Sequence, residues 1–415
     1  MVFSMVWSNK KKKIVFVFML IIVFENSLHM DTLSQLKATE LYAKSAVLID
    51  GASGRVLYGK NEEQQMPMAS TTKILTLILT LENTNPKEVV QVSKRAASQP
   101  KVHLGVREGQ EFYVKDLCYA MMLESFNDTA VALAEHVSGS VEGFAELMNQ
   151  KAEEIGCENA YFVTPNGLDG QVVTETKTWI HSITATDLAR IMRYCIMESP
   201  KAREFLEITR TKHYQFTDRE GLRSYQCYNH NAFLDMMEGV LSGKTGFTSK
   251  AGYCYVGAVK ADSRTFIVAL LACGWPNNRS YKWSDMKKLV QYGMDHFSNK
   301  NVFEEKTDFQ GIEVQNGYNA SQTKKKFFVS HQGKIHPWMK KEELSILLGD
   351  EDEVKIEYKL PKVLKAPVEK NQLIGTAEYY LNEEKIKSYP IYSDAQVKKI
   401  DFASCIYQIF RFYCL

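Results

Sequence analysis

The sequence has no strong excess of charge of either sign. Lys and Arg together number 51 and Asp and Glu 49, so the formal net charge is only +2 over 415 residues. A nucleic-acid-binding surface needs a clear excess of basic residues, and we therefore expect no nucleic-acid partner. Metal-binding patterns are also missing, because the Cys residues form no C-x-x-C pair, H-E-x-x-H is absent and the His residues are scattered. We expect neither a metal nor another cofactor.

Two further classes of protein are excluded by missing motifs. Gly239 and Gly243 enclose three residues, whereas the glycines of a phosphate-binding loop enclose four. No G-x-S-x-G segment follows a strand pattern, so the nucleophile elbow of an α/β-hydrolase is absent. The eight Cys residues do not suggest disulfides, since Cys118, Cys195 and Cys273, for example, fall within helix or strand patterns. We expect them to be buried as small apolar side chains.

The N-terminal apolar run is too short for a membrane-spanning helix. Ile14 to Phe24 contains eleven residues, and a span needs about 20. Lys10 to Lys13 precede this run, and a basic patch before a short apolar stretch is typical of an export signal. We expect residues 1–28 to be such a signal, and the protein to act at the extracytoplasmic face of a cell membrane. A short uncleaved anchor is the alternative.

The chain length and a change of texture near residue 300 predict more than one domain. Residues 29–300 contain long helical patterns, whereas residues 301–396 contain short alternating runs that predict a small β domain. Within residues 397–415, the stretch Ile400 to Leu415 is apolar except for the regularly spaced side chains of Asp401, Ser404, Gln408 and Arg411. That spacing predicts an amphipathic helix that lies in a membrane surface. A helix docked on the β domain is the alternative.

Three short motifs occur in one order within residues 29–300. They are Ser70-Thr71-Thr72-Lys73, Ser125-Phe126-Asn127 and Lys244-Thr245-Gly246. S-x-x-K recurs at other serines and means little alone, but S-x-N and K-T-G each occur once. The ordered set combines a serine nucleophile and a lysine, a second serine with an amide, and a cationic strand.

The surroundings of Ser70 and Lys73 fit this chemistry. The apolar run Ile74 to Leu81 predicts a buried helix with Ser70 in its first turn. Residues i and i+3 are neighbours on a helix, so we expect the Lys73 amine to reach the Ser70 hydroxyl. Burial disfavours the charged amine, and a neutral amine can take the serine proton. The alternative is that Ser70 only caps the helix and Lys73 lies at the surface.

The other two motifs fall where side chains can enter a cleft. Ser125 to Asn127 lies at the junction of two helical patterns, although an ordinary helix–helix turn is the alternative. Lys244 to Gly246 precedes two strand patterns, Tyr253 to Val259 and Thr265 to Cys273. The third motif is therefore predicted to lie on a strand that enters a sheet.

With these motifs, the chain resembles the low-molecular-weight penicillin-binding proteins, which are D-alanyl-D-alanine carboxypeptidases of a serine peptidase family. The resemblance extends to Met66 to Lys73, Pro165 to Leu168 and Thr184 to Ala189, and it covers roughly residues 43–297. It implies a β-lactamase/transpeptidase-like domain of the α/β (α+β) class, with an antiparallel sheet and a helical subdomain. The small β domain and the C-terminal amphipathic helix would follow.

The resemblance also implies roles for the first two motifs. Ser70 would be the acylated nucleophile and Lys73 the general base. Ser125 would pass a proton to the leaving amine, and Asn127 would orient the substrate amide. The residue between them, Phe126, is a departure, since the family usually has a small residue there.

In the third motif, Lys244 and Thr245 would hold the terminal carboxylate of the substrate. Gly246 would let a ligand backbone approach closely. The backbone N–H groups of Ser70 and Phe247 would form the oxyanion hole.

The resemblance implies that the enzyme removes the terminal D-alanine from peptidoglycan stem peptides, and that β-lactam antibiotics inhibit it covalently. A serine β-lactamase on the same fold is an alternative, but class A enzymes need a Glu for deacylation. No E-x-x-L-N segment lies between Ser125 and Lys244. A transpeptidase is another alternative, and the non-enzyme alternative is a wall-binding module with an inactive site.

Overall fold

The structure is a computed structural model that describes residues 36, 38–319 and 333–413. The chain divides into two units between His296 and Phe297. The predicted export signal, residues 1–28, lies outside the described residues.

The N-terminal unit is organised around one antiparallel sheet. The strands of this unit are β1 Ser45–Asp50, β2 Val56–Lys60, β3 Val89–Gln91, β4 Glu111–Tyr113, β5 Gln171–Val173, β6 Thr178–Ile180, β7 His213–Thr217, β8 Ser224–Tyr228, β9 Val240–Thr248, β10 Gly252–Ala261 and β11 Arg264–Leu271. The main sheet has the order β2-β1-β11-β10-β9, and all its neighbours are antiparallel. β10 and β11 are the two strands predicted after the K-T-G motif. β9 carries that motif and lies at the edge of the sheet, so one of its sides has no strand partner in the described part of the chain.

Helices make up most of the rest of this unit. They are α1 Lys73–Asn83, α2 Lys94–Ala97, α3 Val114–Glu124, α4 Asn127–Ser138, α5 Val141–Ile155, α6 Ala185–Arg193, α7 Ala202–Arg210 and α8 Tyr281–His296. Helix α1 is the predicted apolar helix, and its residues from Lys73 to Thr80 are all buried. Its apolar side chains pack in one core with those of α3, α4 and α6 and with side chains of the sheet. The S-x-x-K motif therefore ends in a fully buried lysine, Lys73, whereas its first residue, Ser70, is half-buried.

The C-terminal unit is built mainly of short strands. They are β12 Phe297–Asn301, β13 Ile312–Gln315, β14 Gly317–Tyr318, β15 Gly333–Ile335, β16 Pro337–Trp338, β17 Ser345–Gly349, β18 Val354–Lys359, β19 Val363–Lys365, β20 Leu373–Leu381, β21 Glu384–Ser393 and β22 Lys398–Lys399. The largest sheet has the order β16-β21-β20-β18. A separate core that includes Val314, Tyr379 and Ile391 packs behind it. A mixed α/β unit followed by a β domain confirms the coarse fold prediction.

A helix follows the last strand. α9 Phe402–Tyr413 has several exposed apolar side chains, including Phe402 at 81% and Phe410 at 63%. Within the described ranges, no helix is both long enough and apolar enough to span a bilayer.

The cysteines behave largely as expected. Five of those in the described ranges are buried and free: Cys118, Cys195, Cys227, Cys254 and Cys273. Cys157 and Cys405 are also free but only half-buried. Burial raises the pKa of the Cys254 thiol to about 12, so this thiol is not a reactive thiolate at neutral pH.

Candidate active site

The candidate nucleophile lies on a tight turn that leads into α1. Residues Ala69–Thr72 form a 3-10 turn and the α-helix begins at Lys73, so Ser70 lies just before the helix. Ala69 has a left-handed backbone with φ of 49°, which is uncommon for a residue other than glycine. Gly167 packs against this turn, and a methyl group there would lie 2.0 Å from the Ala69 carbonyl oxygen. The neighbouring loop can thus hold the turn only because residue 167 has no side chain.

The Lys73 amine is surrounded by three oxygen atoms. Lys73 is fully buried, and its Nζ lies 2.9 Å from Ser70 Oγ, 3.0 Å from Asn127 Oδ1 and 2.6 Å from the Asn166 carbonyl oxygen. The oxygens of Asn127 and Asn166 can only accept hydrogen bonds. They occupy two N–H groups of the amine, and the remaining direction points to Ser70. A neutral amine with this geometry directs its lone pair at the Ser70 hydroxyl proton.

The surroundings of Lys73 favour that neutral form. Burial lowers the pKa of the Lys73 amine well below its ordinary value, and the positive charge of Lys244 lowers it further. The nearby Asp128 carboxylate acts in the opposite direction. These effects give Lys73 the character of a base at a pH where an exposed lysine would be fully protonated.

The S-x-N motif reaches the site from the α3–α4 junction. Ser125 ends α3 in a left-handed conformation with φ of 65°, and Asn127 begins α4. Asn127 is buried; its Oδ1 accepts a hydrogen bond from Lys73, and its Nδ2 donates one to the Pro100 carbonyl at 3.2 Å. Phe126, the departure from the family pattern, packs against the core of the unit. The contact between Asn127 and Lys73 was not expected from the sequence.

Lys244 forms a second serine–lysine pair. Its Nζ lies 3.0 Å from Ser125 Oγ and donates a hydrogen bond to the Thr245 carbonyl at 3.0 Å. Only 3% of Lys244 is exposed, and burial lowers the pKa of its amine to about 7. The amine can therefore gain or lose a proton near neutral pH, whereas the sequence indicated only a cationic strand.

The rest of the K-T-G segment lies along the edge strand. The Thr245 hydroxyl has no hydrogen-bond partner within the described part of the chain, and Phe247 is 40% exposed. A methyl group on Gly246 would lie 2.9 Å from Ser70 N and 3.0 Å from the Met68 carbonyl oxygen. The absence of a side chain at residue 246 is thus required by the turn of the protein that carries Ser70, rather than only by a ligand backbone as the sequence suggested.

The loop at Pro165 to Leu168 belongs to the site, although its sequence predicted no role there. The Asn166 backbone carbonyl accepts a hydrogen bond from Lys73. The Asn166 side chain donates from Nδ2 to Gln99 Oε1 at 2.9 Å, and its Oδ1 accepts from the Leu168 N–H at 3.0 Å. The Thr76 hydroxyl donates to the Pro165 carbonyl at 2.6 Å. The Asn-Gly dipeptide signals a turn, but nothing in its local pattern indicates contact with Lys73.

His181 links the same loop to the nucleophile turn. Thr72 Oγ1 donates to the Ala69 carbonyl at 2.8 Å and lies 3.0 Å from His181 Nε2, which must therefore be the donor. His181 Nδ1 accepts from the Val163 N–H at 3.0 Å. Burial and the charge of Lys73 lower the pKa of His181 to about 3. His181 is thus a neutral imidazole with a fixed tautomer, hydrogen-bonded to the turn that carries Ser70.

Acidic and metal-ligating groups do not approach the reacting atoms directly. In the described ranges, no carboxylate is hydrogen-bonded to Ser70 or Lys73. The same ranges contain no cluster of three or more His, Cys, Asp or Glu side chains that could hold a metal ion.

A hydroxyl beside a buried amine, a second serine–lysine pair and an open edge strand together define a serine peptidase. Residues 32–273 match the family model for D-alanyl-D-alanine carboxypeptidases, and residues 297–399 match that for the C-terminal domain of penicillin-binding protein 5. The chain therefore belongs to the D-alanyl-D-alanine carboxypeptidase family of low-molecular-weight penicillin-binding proteins, which confirms the predicted resemblance. Membership of this enzyme family does not favour the inactive wall-binding module.

Individual relatives agree with this assignment. The chain is 29% identical over 367 residues to the D-alanyl-D-alanine carboxypeptidase DacF of Bacillus subtilis, with 87% of each chain covered. Its fold is similar to that of penicillin-binding protein 5 from Haemophilus influenzae, with a TM-score of 0.62, 26% identity and coverage of 86% and 98% of the two chains. A mutant of a Streptomyces DD-transpeptidase is also similar, with a TM-score of 0.54, 26% identity and coverage of 61% and 98%.

Proposed function

We propose that this enzyme removes the terminal D-alanine from D-Ala-D-Ala ends of peptidoglycan stem peptides through an acyl-enzyme on Ser70. The observation that carries this proposal is the 2.9 Å separation between Ser70 Oγ and the fully buried Lys73 Nζ. Ser70 Oγ attacks the carbonyl carbon of the scissile peptide bond while Lys73 accepts the hydroxyl proton. The departing D-alanine amine receives a proton through Ser125, whose hydroxyl is hydrogen-bonded to Lys244. Water then hydrolyses the ester and restores Ser70.

Substrate recognition is assigned to the edge strand. Lys244 in its protonated form and the Thr245 hydroxyl would bind the terminal carboxylate, and Asn127 would contact the substrate amide. The N–H groups of Ser70 and Phe247 would bind the oxyanion. A methyl group added at Gly246 would lie only 2.9 Å from Ser70 N, so β9 passes close to the turn that carries Ser70. Phe247 is the next residue on β9, and this closeness supports a shared role for the Ser70 and Phe247 N–H groups.

A β-lactam would acylate Ser70 by the same attack and remain attached. Fast hydrolysis of such an ester needs a dedicated base, and no carboxylate in the described ranges is hydrogen-bonded to Ser70 or Lys73. This observation favours a penicillin-binding carboxypeptidase over a β-lactamase. The similarity to a DD-transpeptidase keeps transfer to an amine acceptor as the second candidate function.

The test is mass spectrometry of the purified protein after incubation with a penicillin, together with a D-alanine release assay on a stem pentapeptide. We expect a stable adduct on Ser70 and release of one D-alanine for each peptide cleaved. Rapid turnover of the penicillin would favour a β-lactamase. Absence of both adduct and D-alanine release would contradict the proposal, and a peptide product joined to an added amine would favour the transpeptidase.

We also propose that the mature protein acts outside the cytoplasm, with residues 29–300 forming the catalytic domain and residues 397–415 attaching it to the membrane surface. Exposed Phe402, Ile406, Ile409 and Phe410 on α9 support this attachment. Lys398 and Lys399 precede the helix and would attract anionic lipid.

Truncation before Val397 tests the attachment. In an exporting host, the truncated protein should move from the membrane fraction to the medium once residues 1–24 are confirmed to be removed. If it stays with the membrane, α9 is not the attachment. Release of the full-length protein by salt alone would favour a docked helix.

A further inference from the structure

Asp128 is a buried carboxylate that the proposed mechanism does not use. It follows the S-x-N motif in the first turn of α4, and only 1% of it is exposed. Its two oxygens accept four backbone hydrogen bonds: Oδ1 from the N–H groups of Leu104 and Thr129, both at 2.9 Å, and Oδ2 from those of Gly105 at 2.8 Å and Val106 at 3.3 Å. Three of these donors belong to one segment, residues 100–106.

The 100–106 segment in turn holds Asn127. The Val102 carbonyl accepts from the Asn127 N–H at 2.8 Å, and the Pro100 carbonyl accepts from Asn127 Nδ2 at 3.2 Å. A carbonyl oxygen can only accept, so the side-chain amide must turn its nitrogen toward Pro100 and its oxygen toward Lys73. In the opposite orientation, the Asn127 NH2 group would face the N–H groups of Lys73, and the Asn127 side-chain oxygen would face the Pro100 carbonyl oxygen.

We propose that Asp128 is a positioning residue of the active site: it fixes the 100–106 segment so that Asn127 presents its oxygen to the Lys73 amine, and its negative charge acts on that amine. This inference rests on the proposed function, in which Ser70 and Lys73 carry out acylation.

The charge gives Asp128 an effect that ordinary packing would not have. The ionisable groups that act on or face Lys73 are Lys244 on β9, Asp128 on α4 and the neutral His181. Lys244 disfavours the protonated amine, whereas Asp128 favours it. Loss of the carboxylate charge therefore lowers the pKa of Lys73 further, and the pH at which the base becomes active moves to a lower value.

Two substitutions separate geometry from charge. Asp128→Asn removes the charge and also replaces one oxygen by an NH2 group, which would face two backbone N–H donors. Asp128→Glu keeps the charge, but its longer side chain cannot place both oxygens where the four donors meet. Asp187→Asn is the matched control, because Asp187 is an equally buried carboxylate that accepts from the Asn159 N–H at 2.8 Å and pairs with Arg190.

The measurement is the rate constant of acylation by a fluorescent penicillin between pH 5 and 10. We expect Asp128→Asn to acylate about 10-fold more slowly or worse at its own optimum, because loss of a hydrogen bond to a charged group has effects of that order. The pH midpoint at which its acylation rate rises should move to a lower value than in the wild type. Asp128→Glu should be slow with a midpoint near that of the wild type, and the control should change neither quantity.

An unchanged rate in Asp128→Asn would overturn the positioning role. A lower rate with an unchanged midpoint would overturn the electrostatic part and leave an ordinary structural residue. If Asp128→Asn does not fold, a wild-type rate in Asp128→Glu refutes the proposal, and a slow reaction with an unmoved midpoint supports it. Failure of the wild-type protein to acylate at all would count against the proposed function instead.

Discussion

Lys244→Ala is the substitution whose effect follows most directly from the structure. The Lys244 amine is almost fully buried beside Ser125 Oγ, and we propose that it binds the substrate carboxylate. A hydrogen bond to a charged group contributes about 1.5–3 kcal/mol, and 1.36 kcal/mol corresponds to a factor of ten. Acylation by a carboxylate substrate should therefore fall by about 10- to 150-fold.

The burial of Lys244 adds a condition on pH. Its pKa is lowered to about 7, so the free enzyme contains both the charged and the neutral amine near neutral pH. A bound carboxylate favours the charged amine, and substrate binding should therefore be accompanied by proton uptake above pH 7. The rate of acylation by a carboxylate substrate should therefore fall at alkaline pH as the Lys244 amine loses its proton.

Because Lys244 also contacts Ser125, a loss of rate alone does not distinguish its two roles. The assay compares a peptide that ends in D-Ala-D-Ala with the same peptide ending in a C-terminal amide. The wild-type enzyme should prefer the carboxylate, and Lys244→Ala should lose most of that preference. If the variant slows both peptides equally and keeps the preference, Lys244 acts only through Ser125 and the carboxylate assignment is wrong. Lys151→Ala, which removes a lysine paired with Glu82 and Glu154 on the helical side of the unit, should leave the preference intact.

Three further predictions concern the same site. Ser70→Ala should abolish penicillin labelling and D-alanine release while the melting temperature changes little, and labelling that persists would exclude Ser70 as the nucleophile. Acylation should increase as pH rises through the lowered pKa of Lys73, because only the neutral amine accepts the proton; a flat profile from neutral to alkaline pH would contradict the base role. Gly246→Ala should slow acylation by more than about 10-fold, since the added methyl group meets backbone atoms of the nucleophile turn at 2.9–3.0 Å and must displace them. A wild-type rate in Gly246→Ala would show that the turn accommodates the methyl group without moving its N–H groups.

Local patterns in the sequence were sufficient for much of the fold. The apolar run after Lys73 predicted a buried helix, and α1 is buried over that run. Apolar runs predicted β10 and β11, and both strands are buried along most of their length. Short alternating runs predicted the small β domain, whose largest sheet contains β18, β20 and β21. The order of the three motifs predicted the family, since each motif is a short segment whose residues function together.

Contacts between distant parts of the chain could not be predicted in this way. Asn166 lies 93 residues from Lys73, yet its carbonyl is only 2.6 Å from the lysine amine. Three of the four backbone N–H groups that donate to Asp128 lie 22 to 24 residues earlier in the chain. The residues next to Asp128 in the sequence give no sign of these contacts. These contacts depend on how helices and loops pack, and no local periodicity records that packing.

The sequence by itself determined which reactive groups are present: a serine and a lysine, then a second serine and an amide, then a second lysine. Only the tertiary structure decided their protonation and orientation. Burial of Lys73 and Lys244 within one site lowers the pKa of both amines, because desolvation depends on every group that surrounds a charge, not on its sequence neighbours. The direction of the Asn127 amide and the lack of space at Gly246 have the same origin, since both are set by backbone atoms brought from other parts of the chain.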